Sequence, residues 1–204
     1  MTVNEVSTLF SKAAQVLIDH KQELCAIDGE TGDGDHGVAI AKVANAIINI
    51  SEKNGYNNLC DYFSQISAAI MSINGGSCIP LCANIFDGMS ESVENLEEDG
   101  SEMIKAAFKG ALEGLRFISS AKPGDKTMLD ALYPAVQAAV SCQGDEREIF
   151  FSAAQAAHQG SEATRNMVAK FGRAKDLKEA SIGFLDAGSV SVSLFINALS
   201  ICYP

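Results

Sequence analysis

The sequence predicts an all-α fold, a bundle of about eight antiparallel helices, and three observations predict it. Apolar residues recur at spacings of three and four along most of the 204 residues, the period of a helix with one buried face. The joints between the periodic segments are mostly short, which makes consecutive helices antiparallel neighbours. Only one stretch alternates like a strand, and nothing else in the chain would pair with it.

The first helix carries Val6, Leu9, Phe10, Ala13 and Leu17, and Thr2 and Glu5 stand at capping-box spacing before it. Ile40, Val43, Ala44, Ile47 and Ile48 mark the second. Leu59, Tyr62, Phe63, Ile66 and Ile70 mark the third, and Leu81, Ile85 and Met89 the fourth. The fifth shows Ile104, Ala107, Phe108, Ala111 and Leu115, the sixth Leu129, Leu132, Val136 and Val140. Asp145 and Glu148 open the seventh, which runs through Ile149, Phe150, Ala153, Ala157 and Thr164 to Met167. In the last run, Ser189 to Leu194 alternates, but Val192, Phe195, Ile196 and Leu199 keep helical spacing; it reads as an eighth helix. No linker, repeat or low-complexity tract interrupts the series, so residues 1–204 read as one domain. The apolar stripes, with Met89, Met103, Met128 and Met167, read as core.

Composition narrows the function. A chain that is 47% hydrophobic and 20% charged is globular. Its net charge of −11 speaks against a nucleic acid or an anionic membrane as partner, since both need a basic footprint. No run reaches the roughly 18 apolar residues of a membrane span, and the N-terminal stretch lacks the apolar centre of a signal peptide. The six cysteines form no C-x-x-C pair and mostly sit in apolar runs, which favours buried thiols and a cytoplasmic setting.

Polar and glycine residues concentrate in four joints: Ile27 to Ile40, Asn74 to Cys78, Lys122 to Thr127, and Phe171 to Ser189. They are the joints between helices 1–2, 3–4, 5–6 and 7–8, which share one end of an up-and-down bundle. The unusual chemistry therefore converges on one rim. The first joint, IDGETGDGDHGVAI, gathers four carboxylates. At about 5 Å and an effective dielectric of about 20, each carboxylate pair costs roughly 3 kcal/mol; either water screens them or a cation sits among them. Asp33 and Asp35, two apart, point the same way on an extended segment, and Asp28 comes from the preceding helix end. Such oxygen donors suit a hard divalent cation. An EF-hand is ruled out, because position 12 counted from Asp28 is Ala39 instead of Glu. The N–H groups of Gly37, Val38 and Ala39 after His36, and those after Gly75-Gly76-Ser77, open helices and are anion-ready. His36 serves equally well as a helix-start hydrogen-bonding group or as a catalytic one, and Arg173 is of the type that clamps a phosphate.

The segment GDGDHG with an Asp five residues before its first Asp, INGGSCIP, AKPGDKTMLDALYP, and FGRAKDL followed by SIGFLDAGS together resemble the L subunit of dihydroxyacetone kinase, the nucleotide-binding half of that enzyme. They occur in the family's order from residue 27 to residue 189. The resemblance implies a barrel of eight antiparallel helices holding a nucleotide, ATP or ADP, and two Mg²⁺ ions at one end. The metal-binding and catalytic aspartates fall on Asp28, Asp33 and Asp35. The nucleotide-contacting positions fall on His36, Gly37, Val38 and Ala39, on Gly76, Ser77 and Cys78, on Ser119 and Met128, on Arg173, and on Asp186, Ala187 and Gly188. Two departures stand out: Ser77-Cys78-Ile79 where the family commonly has Ala-Ser-Gly, and Ala187 where it commonly has Pro.

The function the resemblance implies is a kinase subunit that passes a phosphoryl group to dihydroxyacetone or a related ketose, such as a tetrulose, held on a separate K subunit. A second form keeps ADP permanently bound and has it rephosphorylated by a phosphocarrier protein of the sugar phosphotransferase system. A third, of another class, is a nucleotide-dependent regulatory partner without turnover; the complete aspartate triad weighs against it.

Overall fold

The computed structural model describes residues 1–53, 55–96 and 100–204 and is all-helical among them. Nine α-helices follow one another: α1 (Val3–Asp19), α2 (Lys21–Gly29), α3 (His36–Ser51), α4 (Leu59–Met71), α5 (Cys78–Val93), α6 (Gly100–Ile118), α7 (Leu129–Ser141), α8 (Glu146–Ala163) and α9 (Ala187–Cys202). Two 3₁₀ segments, Thr164–Asn166 and Arg173–Ser181, lie between α8 and α9. Side chains fix several starts by accepting an otherwise orphaned N–H. Thr2 and Glu5 form the expected reciprocal capping box. Asn58 accepts from Asp61 N at 2.8 Å and Asp145 from Glu148 N at 2.9 Å.

Every helix but α2 packs against its predecessor and successor, and α9 packs back against α1, closing a ring in the order α1, α3, α4, α5, α6, α7, α8, α9. The apolar faces turn inward and make one continuous core. Its centre is aromatic: Phe10 of α1 stands 5.4 Å from Phe63, 5.5 Å from Phe195 and 6.2 Å from both Tyr62 and Phe86, centroid to centroid. These spacings suit edge-to-face and tilted aromatic pairs. An apolar cavity of about 140 Å³ remains inside the ring.

Two segments depart from the periodicity. The first helix breaks at His20, and α2 turns aside to pack mainly on α3. Only Leu24 of α2 is buried, so no apolar stripe marks it in the sequence. The seventh expected helix ends at Ala163, four residues short of Met167, and tightens to 3₁₀ at Thr164, whose hydroxyl donates back to Ser161 O at 2.6 Å. The alternating last run is helical throughout. Ser189, Ser191 and Ser193 are buried while Val190, Val192 and Leu194 between and beside them are only partly so, so the alternating polar positions of α9 do not form a solvent face.

Residues 1 and 204 meet at the start of α8. The N-terminal ammonium lies 3.7 Å from Glu146, and Arg147 donates to the Pro204 carbonyl at 2.5 Å. No helix among the described residues is long and apolar enough to cross a membrane.

Candidate functional site

The four polar joints do converge. Together they wall a cavity of about 570 Å³ at the end of the ring opposite residues 1 and 204, a volume in the range of small-molecule sites. Asp28, Gly32 and His36 come from the α2–α3 joint, Ser77 and Cys78 from α4–α5, Ser119 and Lys126 to Met128 from α6–α7, and Phe171 to Arg173 with Asp186 to Gly188 from α8–α9.

The first joint is folded around Asp28. Its carbonyl accepts from Thr31 N at 3.1 Å and Gly32 N at 2.6 Å, and its carboxylate accepts from His36 N at 3.3 Å. Gly34 takes φ +74°, the left-handed conformation that glycine tolerates best. This turn brings one ligand oxygen each of Asp28, Asp33 and Asp35 within 4.8 Å of one another. Three hard oxygen donors at one point fit a small dication that completes its shell with phosphate oxygens and water. The cluster already attracts a cation: the Arg173 guanidinium pairs with Asp33 and lies 3.9 Å from Asp35.

Other expected residues divide into those that face the cavity and those that do not. His36 lines it, held by an Nε2 contact to Ser191 Oγ at 3.1 Å. Gly37 is buried beneath α2, where a Cβ would come within 2.0 Å of the Lys21 carbonyl; its role here is close packing. The Val38 and Ala39 N–H groups donate to Asp35 O at 2.9 and 3.1 Å, so the helix start offers fewer free donors than its sequence suggests. Gly76 is exposed, with open space around its Cα. Cys78 lines the cavity with its sulfur 3.8 Å from Cys82, and that contact and burial push its thiol well up. Ser119, Met128, Ala187 and Gly188 also line the cavity, and Met128 packs over Gly188.

Asp186 caps α9, accepting from Ser189 N at 2.6 Å. Burial raises its carboxyl to about 7 despite that hydrogen bond; Asp130 and Asp28 add to the rise and Lys126 opposes it. Asp125, by contrast, is held below the usual carboxylate range by Lys170, whose ammonium donates to it at 2.6 Å.

Sequence reasoning assigned no role to Lys126, Thr127 or Asp130. The Asp130 carboxylate accepts from Gly124 N at 2.5 Å and Thr127 N at 2.8 Å, shaping the third joint. The Thr127-x-x-Asp130 spacing, that of a capping box, was the available signal. Lys126 is buried in the cavity wall, at φ +62°.

Comparison with known proteins covers the same span. A family model described as "DAK2 domain" matches residues 30–200. The chain is 30% identical over 205 residues to the D-erythrulose kinase of Mycolicibacterium smegmatis, covering 97% of this chain and 35% of that protein. To the ADP-binding subunit DhaL of PEP-dependent dihydroxyacetone kinase 1 of Listeria innocua it is 31% identical over 181 residues, 89% of this chain and 87% of that one. The crystal structure of the dihydroxyacetone kinase from C. freundii in complex with AMP-PNP and Mg²⁺ superposes with a TM-score of 0.78 at 25% identity, over 96% of this chain and 33% of that one. The chain thus spans about a third of the length of the longer relatives.

Proposed function

The chain belongs to the DAK2 domain family, and on that premise we propose that it is the nucleotide- and magnesium-binding subunit of a dihydroxyacetone-type kinase. In this reading residues 1–204 act as one nucleotide-binding domain that passes a phosphoryl group to dihydroxyacetone or a tetrulose held on a separate K subunit. The observation that carries it is the meeting of three carboxylates at the mouth of a cavity walled by all four polar joints.

Phosphoryl transfer asks a protein for positioning and charge stabilisation more than for covalent chemistry. Bound magnesium, two ions in this reading, supplies neutralisation at the phosphate oxygens and at the leaving oxygen. Asp28, Asp33 and Asp35 would hold it. Ser77, Cys78 and His36 line one wall and Asp186 to Gly188 another, where they would bound the nucleotide. Arg173, freed from Asp33, would turn its fork to a phosphate. The six free thiols accord with a reducing cytoplasm.

A second reading is motivated by the Listeria subunit, whose name specifies ADP binding and dependence on PEP. Here ADP stays bound and is rephosphorylated in place by a phosphocarrier protein. The nucleotide content of the purified protein after dialysis in Mg²⁺ separates the two. Retained stoichiometric ADP supports the phosphocarrier-fed subunit; an empty site that binds ATP reversibly supports the ATP-using one. Neither nucleotide in either test removes the proposal.

Asp33→Asn tests the metal cluster. One lost unit charge at about 4 Å is worth about 4 kcal/mol at a dielectric of about 20, so Mg²⁺-dependent affinity for nucleotide falls at least about a hundredfold. Circular dichroism stays that of the wild type, because Asp33 is exposed. Unchanged affinity would count against the cluster.

A further inference from the structure

A lysine in the wall of a cavity that would take a nucleotide is ordinarily taken for a phosphate ligand. Lys126 is not arranged as one. It is 3% exposed, and no carboxylate among the described residues lies within ion-pair distance of its ammonium. All three ammonium N–H groups are spent on backbone carbonyls: Thr164 at 2.7 Å, Ser181 at 2.9 Å and Phe184 at 2.5 Å. A buried ammonium is costly unless its donors are satisfied, and here they are satisfied without any donor left for a ligand.

The three acceptors belong to one stretch of chain. Thr164 closes α8, Ser181 ends the second 3₁₀ segment, and Phe184 lies two residues before Asp186. That stretch carries Arg173 and has little packing of its own: between Arg165 and Phe184 only Ala169 and Ser181 are buried. The neighbouring Asp125 grips it at one more point, its carbonyl accepting from Lys170 N at 3.1 Å and its carboxylate from Lys170 Nζ. Segments with few buried apolar contacts open easily, so order here depends on these polar ties.

We propose that Lys126 is a positioning residue: its ammonium gathers the carbonyls of Thr164, Ser181 and Phe184 and so holds residues 164–186 in the shape that presents Arg173 and Asp186 to the nucleotide. The inference rests on the nucleotide-binding reading above. Its left-handed backbone, sparsely populated by residues other than glycine, is part of the device, for it turns the side chain inward under the segment it holds.

The test uses Lys126→Met and Lys126→Arg, each alone and combined with Arg173→Ala, with two readouts. Losing hydrogen bonds from a charged donor predicts that amide exchange in residues 165–186 of the nucleotide-free Met variant rises about tenfold or more, while α4 and α5 keep their protection. Mg²⁺–ADP affinity falls about tenfold or more, and adding Arg173→Ala then costs little further, because the segment no longer presents that guanidinium. The Arg variant keeps the charge, which safeguards folding. Its planar fork cannot aim three N–H groups at converging carbonyls, so it shows the same loosening. Unchanged exchange in the segment, full affinity in the Arg variant, or penalties that simply multiply with Arg173→Ala would each overturn the proposal. Wild-type protein that binds no nucleotide would instead sink the nucleotide reading, and the exchange data alone would then decide for or against Lys126.

Discussion

At the scale of the residue, the site shows what a sequence can and cannot announce. Asp28, Asp33 and Asp35 were legible because four carboxylates in ten residues demand an explanation by Coulomb's law alone. Lys126 was not. Its partners are carbonyls 38, 55 and 58 residues away, and a carbonyl carries no sequence identity. Asp186 was legible as a member of the last loop, but its environment was not, since its neighbours come from other joints. That environment has a pH consequence. With a native value raised from 3.8 to about 7, the folded protein keeps a proton that the unfolded chain has released between those limits. The Asp186 contribution to stability is therefore fully present below about pH 4 and is lost as pH rises through 7. Asp186→Asn should flatten the fall in the urea midpoint between pH 4 and pH 8 in metal-free buffer. Equal slopes in variant and wild type would show that other groups set it.

At the scale of the element, seven of the nine helices follow directly from the apolar period, and α9 follows despite its alternation. One helix, α2, and one helix end, that of α8, do not follow from it, and both have physical causes. A nine-residue helix with one buried side chain leaves no stripe to read, and the end of α8 depends on the Thr164 hydroxyl bonding back to the Ser161 carbonyl. Helix contacts were less legible than helices. The α5–α6 pair meets glycine to glycine: a Cβ on Gly88 would come within 2.1 Å of the Gly110 carbonyl, and one on Gly110 within 2.1 Å of that of Gly88. Neither obstacle is a side chain that can rotate away. Gly88→Ala must therefore push two helices apart and should destabilise by about 1–3 kcal/mol, read as a lower urea midpoint at unchanged m-value. Gly76→Ala, where nothing lies within 4 Å, is the control that should leave the midpoint in place.

At the scale of the molecule, the odd-numbered joints of the sequence reading were enough to place the unusual residues at one end, since that argument needs only antiparallel neighbours. Closure was a different matter. Periodicity gives each helix a buried face but does not say which helices share a seam; that α9 meets α1 was implied only by the family likeness, and the two helices do pack side by side, with Phe10 of α1 edge-on to Phe195 of α9. One consequence lies in the pairing of residues 1 and 204 with Glu146 and Arg147. Topologically residues 1–204 describe almost a circle, since the first and last of them lie side by side at the start of α8. Permuted chains succeed where ends lie close together and the new cut falls on an exposed turn. A version joined from Pro204 to Met1 by a short flexible linker and opened in the α3–α4 turn, at the end remote from the cavity, should fold cooperatively and bind Mg²⁺–nucleotide within a few-fold of the parent. Loss of cooperative folding would mean that the order in which the helices are made, and not only their arrangement, is needed to assemble the ring.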